Sequence, residues 1–162
     1  MKTAFLALGS NIGDREANLR EAVHHLESDG IHVLRRSSLY ETAPRELLDQ
    51  PWFLNAVVEV ETSLFPVQLL ARVREIERQM GRRRVTPKGP RNIDIDILFY
   101  GRNVIATAEL EVPHPRIAQR RFVLEPLAEI APDFRHPLTG KTAREMLAKL
   151  EPQGVRLLEA RL

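Results

Sequence analysis

The 162-residue chain carries 24 lysines and arginines against 22 aspartates and glutamates, and this net charge of +2 is too small to indicate nucleic-acid binding by itself. The absence of cysteine excludes disulfides and thiolate chemistry and suits a cytoplasmic location. Because no apolar run could span a bilayer and the start is too short for a signal peptide, we expect one soluble domain over residues 1–162 without a membrane partner.

The first part of the chain predicts the order strand, helix, strand, strand. Turn residues such as Gly9-Ser10-Asn11 and Gly30 separate these segments, and Asp14 can cap the helix. The segments are a buried strand over 3–8, a helix over 15–27, a strand over 31–40, a loop over 41–52 and a strand over 53–62.

A second helix and a fourth strand follow. Pro66 favours a helix start, the apolar spacing continues to about Met80, and Gly81 ends the pattern. A basic loop then leads through Gly89-Pro90 into a β-branched run that is typical of a buried strand. The remaining segments are short strands over 104–105 and 110–112, a stiff loop over 113–115, helices over 117–127 and 142–150, and a last strand over 155–158.

The order of these elements predicts the fold class. Strand, helix, strand, strand, helix, strand is the βαββαβ order of the ferredoxin-like plait, an α+β fold with an antiparallel sheet. Such a sheet needs helices over at least one face.

The fourth strand carries the strongest chemical pattern. Asp94 and Asp96 share one face of the strand, because side chains alternate, while the isoleucines around them share the other face. Paired carboxylates repel one another where water is scarce, and a hard cation such as Mg²⁺ reverses this penalty. Taken alone, the pattern favours a half-exposed strand with an acidic outer face.

Basic residues crowd the segment before this strand. Arg82 and Arg84 follow the end of a helix, where the helix dipole alone favours positive charge, but Arg91 lies only three residues before Asp94. Guanidinium groups bind phosphate oxygens in a bidentate manner, and a carboxylate pair can hold the metal that bridges such oxygens. The segment therefore predicts a metal–nucleotide site.

Other candidates remain open on pattern alone. His114, between two prolines, could donate to a phosphate or cap a turn, and Arg120 could join a positive pocket or solvate a helix. Phe53, Asn55 and Phe122 fit ordinary core or strand positions. A rival interpretation is an RNA-binding plait, but the aromatic RNA-binding motif is absent and two aspartates would face the ligand.

Five motifs follow one another along the chain. They are Gly9-Ser10-Asn11-Ile12-Gly13, Gln50-Pro51-Trp52-Phe53-Leu54-Asn55-Ala56, Gly81-Arg82-x-Arg84, Gly89-Pro90-Arg91-x-x-Asp94-x-Asp96, and Pro113-His114-Pro115 with Arg120-x-Phe122. Together they resemble a known enzyme family, 6-hydroxymethyl-7,8-dihydropterin pyrophosphokinase of the folate pathway, and the resemblance runs from Phe5 to about Pro137.

The resemblance implies a plait with helices on both sheet faces, a monomer, and transfer of diphosphate from ATP to the pterin hydroxymethyl group with release of AMP. It implies that Asp94 and Asp96 hold two Mg²⁺ ions, and that no nucleic acid is bound. The remaining implied roles are ATP contacts for Glu77, Arg82, Arg84, Arg91, His114 and Arg120, pterin contacts for Thr42, Phe53, Asn55 and Phe122, and catalysis by Arg82, Arg91, Asp94 and Asp96.

One loop departs from the family pattern. Family members commonly place a basic residue followed by Trp, Tyr or Asn before Gly-Pro-Arg, whereas this chain has Pro87-Lys88, and its loop from Val85 to Lys88 is one residue shorter. We expect Pro87 to stiffen this loop, which closes over substrates in the family.

Overall fold

An antiparallel sheet organises the molecule, whose computed structural model describes residues 1–44, 49–82 and 90–162. The strands are β1 (Lys2–Ser10), β2 (Ile31–Arg36), β3 (Ser38–Thr42), β4 (Phe53–Thr62), β5 (Asp94–Tyr100), β6 (Ile105–Ala106), β7 (Glu111–Val112) and β8 (Val155–Arg161). The helices are α1 (Arg15–Leu26), α2 (Pro66–Gln79), α3 (Arg121–Ile130) and α4 (Ala143–Ala148), with a 3₁₀ turn over Ile117–Gln119.

Six strands form the main sheet. Their order is β5-β1-β4-β3-β8. Strand β2 also pairs with β4, along the same edge as β3 but at the other end of β4. Every pairing in this sheet is antiparallel. The two short strands β6 and β7 pair separately after β5. The predicted mixed fold with an antiparallel sheet is confirmed.

Both faces of the sheet are covered by helices, because the central strands β1 and β4 carry apolar side chains on both sides. Leu6 of β1 and Val58 of β4 belong to the core beneath α1 and α2. Phe5, their neighbour on the opposite face, belongs to the core beneath α3 and α4. Ile93, Ile95 and Ile97 all lie in the α1/α2 core, as the alternation predicted.

The helix starts follow local capping chemistry. The Asp14 carboxylate accepts the Ala17 N–H and caps α1, and Pro66 occupies the first turn of α2. Thr142 caps α4 and forms a capping box with Glu145. These three predicted starts are confirmed. In the described part of the chain, no helix is long and apolar enough to cross a membrane.

The expected single strand over 31–40 is wrong, because it is divided at Ser37 into β2 and β3. The buried Ser37 hydroxyl accepts the Val57 N–H at 2.9 Å, in the place where a main-chain carbonyl would continue the ladder. The pairing then resumes in β3 and extends to Thr42. Glu41 and Thr42 are therefore strand residues, although the sequence placed both in a loop.

The last third of the chain differs from the sequence prediction in its boundaries. The expected helix over 117–127 is a 3₁₀ turn followed by α3, with Arg120 in extended conformation between them. The final strand is longer than 155–158, because β8 pairs with β3 up to Ser38.

Glu129 of α3 fastens that helix to β3. Its carboxylate accepts the Ser38 main-chain N–H, the Ser38 hydroxyl at 2.9 Å and the Tyr40 hydroxyl at 2.7 Å. Burial, together with this acceptor, raises the pKa of Tyr40, so its hydroxyl remains a donor.

We predict that Glu129→Ala destabilises the protein by about 1–3 kcal/mol, because three donors lose their acceptor and the Tyr40 hydroxyl is buried. Chemical denaturation measures this change. Glu16→Ala is the matched control, since that glutamate is exposed and its ion pair among the described residues is with Arg20 on α1. Equal stabilities of the two variants would contradict the assigned role.

Candidate active site

A cavity of about 420 Å³ opens at the end of the sheet on the side that carries α3. The strand ends, the loop before β4 and the start of α3 supply its walls. Its lining includes Gly9, Thr42, Gln50, Phe53, Asn55, Arg91, Asp94, Asp96, His114, Arg116, Arg120 and Phe122.

A second cleft of about 460 Å³ lies between α2 and the segment around β7. Glu77 and Arg82 line it from the α2 side, and residues 107–111 line it from the other. Both clefts share Asp94, Asp96, His114 and Pro115. Asp94 and Asp96, the acidic pair, thus lie at the junction of the two clefts.

Strand register brings the cavity's polar groups into one row. Gly9 of β1 lies opposite Asn55 of β4 on one side and opposite Asp94 of β5 on the other. A Cβ atom at Gly9 would come within 2.7 Å of the Asn55 Oδ1 atom. Glycine is therefore required at position 9 for the Asn55 amide to keep its place.

Asp94 is held by arginines. Arg82 donates to its Oδ1 at 2.9 Å, and the Arg91 Nε lies 3.4 Å from its Oδ2. Arg82 also donates to the Ile93 carbonyl, which fixes its guanidinium beside the strand. These contacts place two guanidinium groups against the Asp94 carboxylate.

Asp96 has a different environment. Burial, and next the charge of Asp94, raise the pKa of Asp96 from 3.8 to about 7. A cation between the two carboxylates would remove this repulsion, and a pair of oxygen ligands that leaves room for phosphates and water suits Mg²⁺. Within the described residues there is no cluster of three or more acidic, histidine or cysteine ligands. The pair fits a magnesium ion that is bound jointly with a phosphate ligand.

Glu77 of α2 borders the second cleft. Its carboxylate accepts the Ile95 N–H at 2.9 Å and lies 3.6 Å from Arg82. Burial is the main cause that raises the pKa of Glu77. The carboxylate thus ties α2 to the edge of β5 next to the acidic pair.

Two aromatic rings border the first cavity, each beside an arginine. The Arg91 guanidinium lies 4.8 Å from the centroid of Phe53, and that of Arg120 lies 5.5 Å from Phe122. Between them, Asn55 donates its side-chain amide to the Thr42 hydroxyl at 2.6 Å. With its Nδ2 engaged in this way, Asn55 presents an acceptor oxygen beside Gly9.

His114 is fixed by its own loop. Its main-chain N–H donates to Leu98, and its Nδ1 accepts the Arg116 N–H at 3.3 Å. In the neutral ring the proton therefore lies on Nε2. His114 lines both clefts.

The structure brings together all but one of the residues predicted for the site. Arg84 and the loop over 85–88 lie outside the described residues. The roles assigned to the other residues stay predictions, although their placement around two adjoining clefts agrees with them.

Asn11 was missed as a functional candidate. Its side chain donates to Gln50 and to the Pro51 carbonyl, and accepts the Arg91 N–H at 2.8 Å. It therefore joins the segment before Phe53 to the segment that carries Arg91. Gly9-Ser10-Asn11 stands in the first of the family motifs, but the sequence assigned Asn11 only to the turn between a strand and a helix.

Paired carboxylates, surrounding arginines and two adjoining clefts define an enzyme of the phosphoryl-transfer class. The comparisons with known proteins narrow this class. The sequence profile of 7,8-dihydro-6-hydroxymethylpterin-pyrophosphokinase (HPPK) matches residues 5–132. The chain belongs to this family, so the predicted family and the predicted enzyme, a pyrophosphokinase of folate synthesis, are confirmed.

Several named proteins are similar to this chain. The 2-amino-4-hydroxy-6-hydroxymethyldihydropteridine pyrophosphokinase of Methylorubrum extorquens is 48% identical over 160 residues, which cover 98% of this chain and 100% of the relative. The Bacillus subtilis protein of the same name is 46% identical over 155 residues, or 95% and 89% of the two chains. Folic acid synthesis protein fol1 of Pneumocystis carinii is 45% identical over 149 residues, covering 92% of this chain and 20% of that longer protein.

Solved structures agree at the level of the fold. The crystal structure of Plasmodium falciparum HPPK-DHPS wild type with pteroate gives a TM-score of 0.74 at 19% identity, over 91% of this chain and 42% of that one.

In the metal-free protein, the contribution of Asp96 to stability should fall as the pH rises from about 4 to 7, because the folded-state pKa of Asp96 is raised to about 7 from 3.8. Protonated Asp96 is tolerated, whereas ionised Asp96 repels Asp94. We expect Asp96→Asn to raise the Tm at pH 8 by at least about 2 °C in EDTA, and this gain to shrink toward pH 4.

Thermal melts of the wild type and the variant between pH 4 and pH 8 measure this effect. Asp133→Asn is the control, because that carboxylate is exposed and, in the part of the chain that the structure describes, forms an ion pair with the exposed Arg144. A gain that is independent of pH, or a loss of stability at pH 8, would contradict the assigned repulsion.

Proposed function

We propose that the chain transfers the β,γ-diphosphate of ATP to the hydroxymethyl oxygen of 6-hydroxymethyl-7,8-dihydropterin. The new bond joins that oxygen to the β-phosphorus, and the bond from the β-phosphorus to the bridging α,β-oxygen breaks. AMP leaves with the electron pair, and the hydroxyl proton passes to solvent. The observation that carries this proposal is the acidic pair at the junction of two clefts.

The second cleft suits the nucleoside end of ATP. Glu77 would lie beside the nucleoside, while Arg82, Arg91, His114 and Arg120 lie on the path toward the first cavity. Guanidinium groups can grip successive phosphates in a bidentate manner. Arg84 belongs to the same proposed set on the basis of its sequence motif alone.

The first cavity suits a flat bicyclic ring. Phe53 and Phe122 would sandwich the pterin, and Asn55 with Thr42 would read its hydrogen-bonding edge. In the substrate-free protein, arginines lie beside both rings. We infer that the pterin takes the place of these cations on the rings when the arginines turn to the phosphates.

Alignment of the two substrates and neutralisation of the phosphate charge account for most of the proposed rate enhancement. Asp94 and Asp96 would hold two Mg²⁺ ions, which would supply Lewis-acid stabilisation of the charge on the phosphates. The protein's own residues fix the geometry: Arg82 holds Asp94, Gly9 leaves room for Asn55, and Asn11 anchors the backbone of Arg91.

Broader features of the proposal follow from the architecture and the sequence. The order β5-β1-β4 with β2 and β3 on the far edge supports a ferredoxin-like plait. We further propose a single domain over residues 1–162 that acts as a cytoplasmic monomer without nucleic acid, and the near-complete coverage of the two bacterial relatives supports the single domain.

Asp96→Ala should abolish magnesium-dependent AMP formation, with a loss of at least about 10³-fold in kcat, because one carboxylate cannot hold both ions. Chromatographic AMP assays with ATP and the pterin measure this loss. Pterin binding, followed by quenching of intrinsic fluorescence, should remain within severalfold of the wild type. Near-normal turnover would refute the assignment of Asp96.

Phe122→Ala should act on the other substrate. Loss of one stacking wall should raise the KM for the pterin by roughly tenfold or more, while the KM for ATP changes little. Phe134→Ala is unsuitable as a control because that ring packs in the core beneath α3, so the exposed Phe65→Ala serves instead. A selective rise in the KM for ATP would contradict the assignment of the cavity.

A further inference from the structure

The segment Gln153–Arg156, which we term the C-terminal bridge, touches both sides of the cavity assigned to the pterin. It lies beyond the residues that the family profile matches. A small cleft of about 280 Å³ separates it from Thr42 and Phe122 and continues the space beside them.

On one side, the C-terminal bridge fixes the start of α3. Arg120, the N-cap residue of this helix, makes no side-chain capping bond. The Gln153 Oε1 instead accepts the Arg121 N–H at 3.0 Å, and its Nε2 donates to the Gln119 carbonyl at 3.1 Å. The Gln153 side chain thus forms hydrogen bonds with main-chain groups on both sides of Arg120, in the turn that precedes Phe122.

On the other side, the C-terminal bridge holds the end of β3. The Ala43 N–H donates to the Gly154 carbonyl at 2.8 Å. Arg156 donates through its Nε to Glu41 at 2.9 Å, and its guanidinium lies 5.1 Å from the centroid of the Trp52 ring. Glu41 and Trp52 immediately precede Thr42 and Phe53.

We propose that the C-terminal bridge sets the separation between the two walls of the pterin cavity, with Arg156 and Gln153 as positioning residues. This inference rests on the proposed function. A flat ring gains full dispersion contact only when both walls lie at van der Waals distance, and a gap of ~1 Å forfeits a quarter to a half of that attraction. Small shifts of either wall therefore weaken pterin binding.

The effect of Arg156 should be moderate, since its carboxylate partner has a second anchor. Arg15 donates to Glu41 at 2.8 Å and to the Trp52 carbonyl at 3.0 Å. Without Arg156, Glu41 and the Trp52 carbonyl would still accept hydrogen bonds from Arg15. We expect Arg156→Ala to raise both the Kd and the KM for the pterin by roughly three- to tenfold, with the KM for ATP and kcat within about twofold.

Arg35→Ala is the matched control. Arg35 makes the same kind of cross-strand pair, donating its Nε to Glu59 at 2.5 Å, but neither residue lines a described cleft of the site. The two variants should lose similar stability, so a purely structural role of Arg156 would give similar kinetics. Arg156→Lys keeps the charge near Glu41 and Trp52 and should lie between wild type and Arg156→Ala.

A second variant tests the bridge without removing a charge. A Cβ atom at Gly154 would lie 2.9 Å from that of Ala43, so Gly154→Ala should push the two segments apart and raise the KM for the pterin. The double variant Ala43→Gly with Gly154→Ala removes this contact and should restore the KM.

Wild-type turnover is measured first, and its absence would count against the proposed function rather than against the bridge. With an active wild type, the inference is overturned if Arg156→Ala matches Arg35→Ala in its KM for the pterin. It is also overturned if the KM values for both substrates rise together, or if Gly154→Ala leaves the KM for the pterin unchanged.

Discussion

Repulsion between two carboxylates on one strand face is the constraint around which this site is built. The register of β5 on β1 places Asp94 and Asp96 toward the cavity and the flanking isoleucines toward the α1/α2 core. A slip of one residue would bury both carboxylates among apolar side chains, which makes the register strongly specified. The hydrophobic effect on one face therefore holds the like charges together on the other.

The surrounding contacts treat the two carboxylates unequally. Arg82 and Arg91 lie against the Asp94 carboxylate, whereas burial and the charge of Asp94 are the main causes that raise the pKa of Asp96. Two similar groups in unlike environments are typical of sites that bind or transfer charge. Asp96 lines both clefts, so a cation that binds in either cleft beside it would reduce the repulsion between Asp96 and Asp94.

Local patterns in the sequence were sufficient for part of this arrangement. Strand alternation located the acidic pair, and Asp14 and Pro66 located the starts of α1 and α2, because both signals depend on residues a few positions apart. The break at Ser37 could not be predicted in this way, because it depends on a residue that is distant in the sequence. The Ser37 hydroxyl accepts the N–H of Val57, in place of a main-chain carbonyl of the strand. Phe53 and Phe122 resembled core residues, and only the family motifs marked them as binding residues.

Glu41 shows why the rest required the folded chain. Its position after a strand and before two prolines suggested a loop, yet its partners Arg15 and Arg156 lie 26 and 115 residues away. These guanidinium groups lower the pKa of Glu41, Arg156 first. The carboxylate consequently stays charged at the end of β3, one residue from Thr42. Long-range ion pairs of this kind can position the residues at the rim of a cavity. The site thus has two parts: an acidic pair that is positioned by strand register, and a rim that is positioned by ion pairs between distant residues.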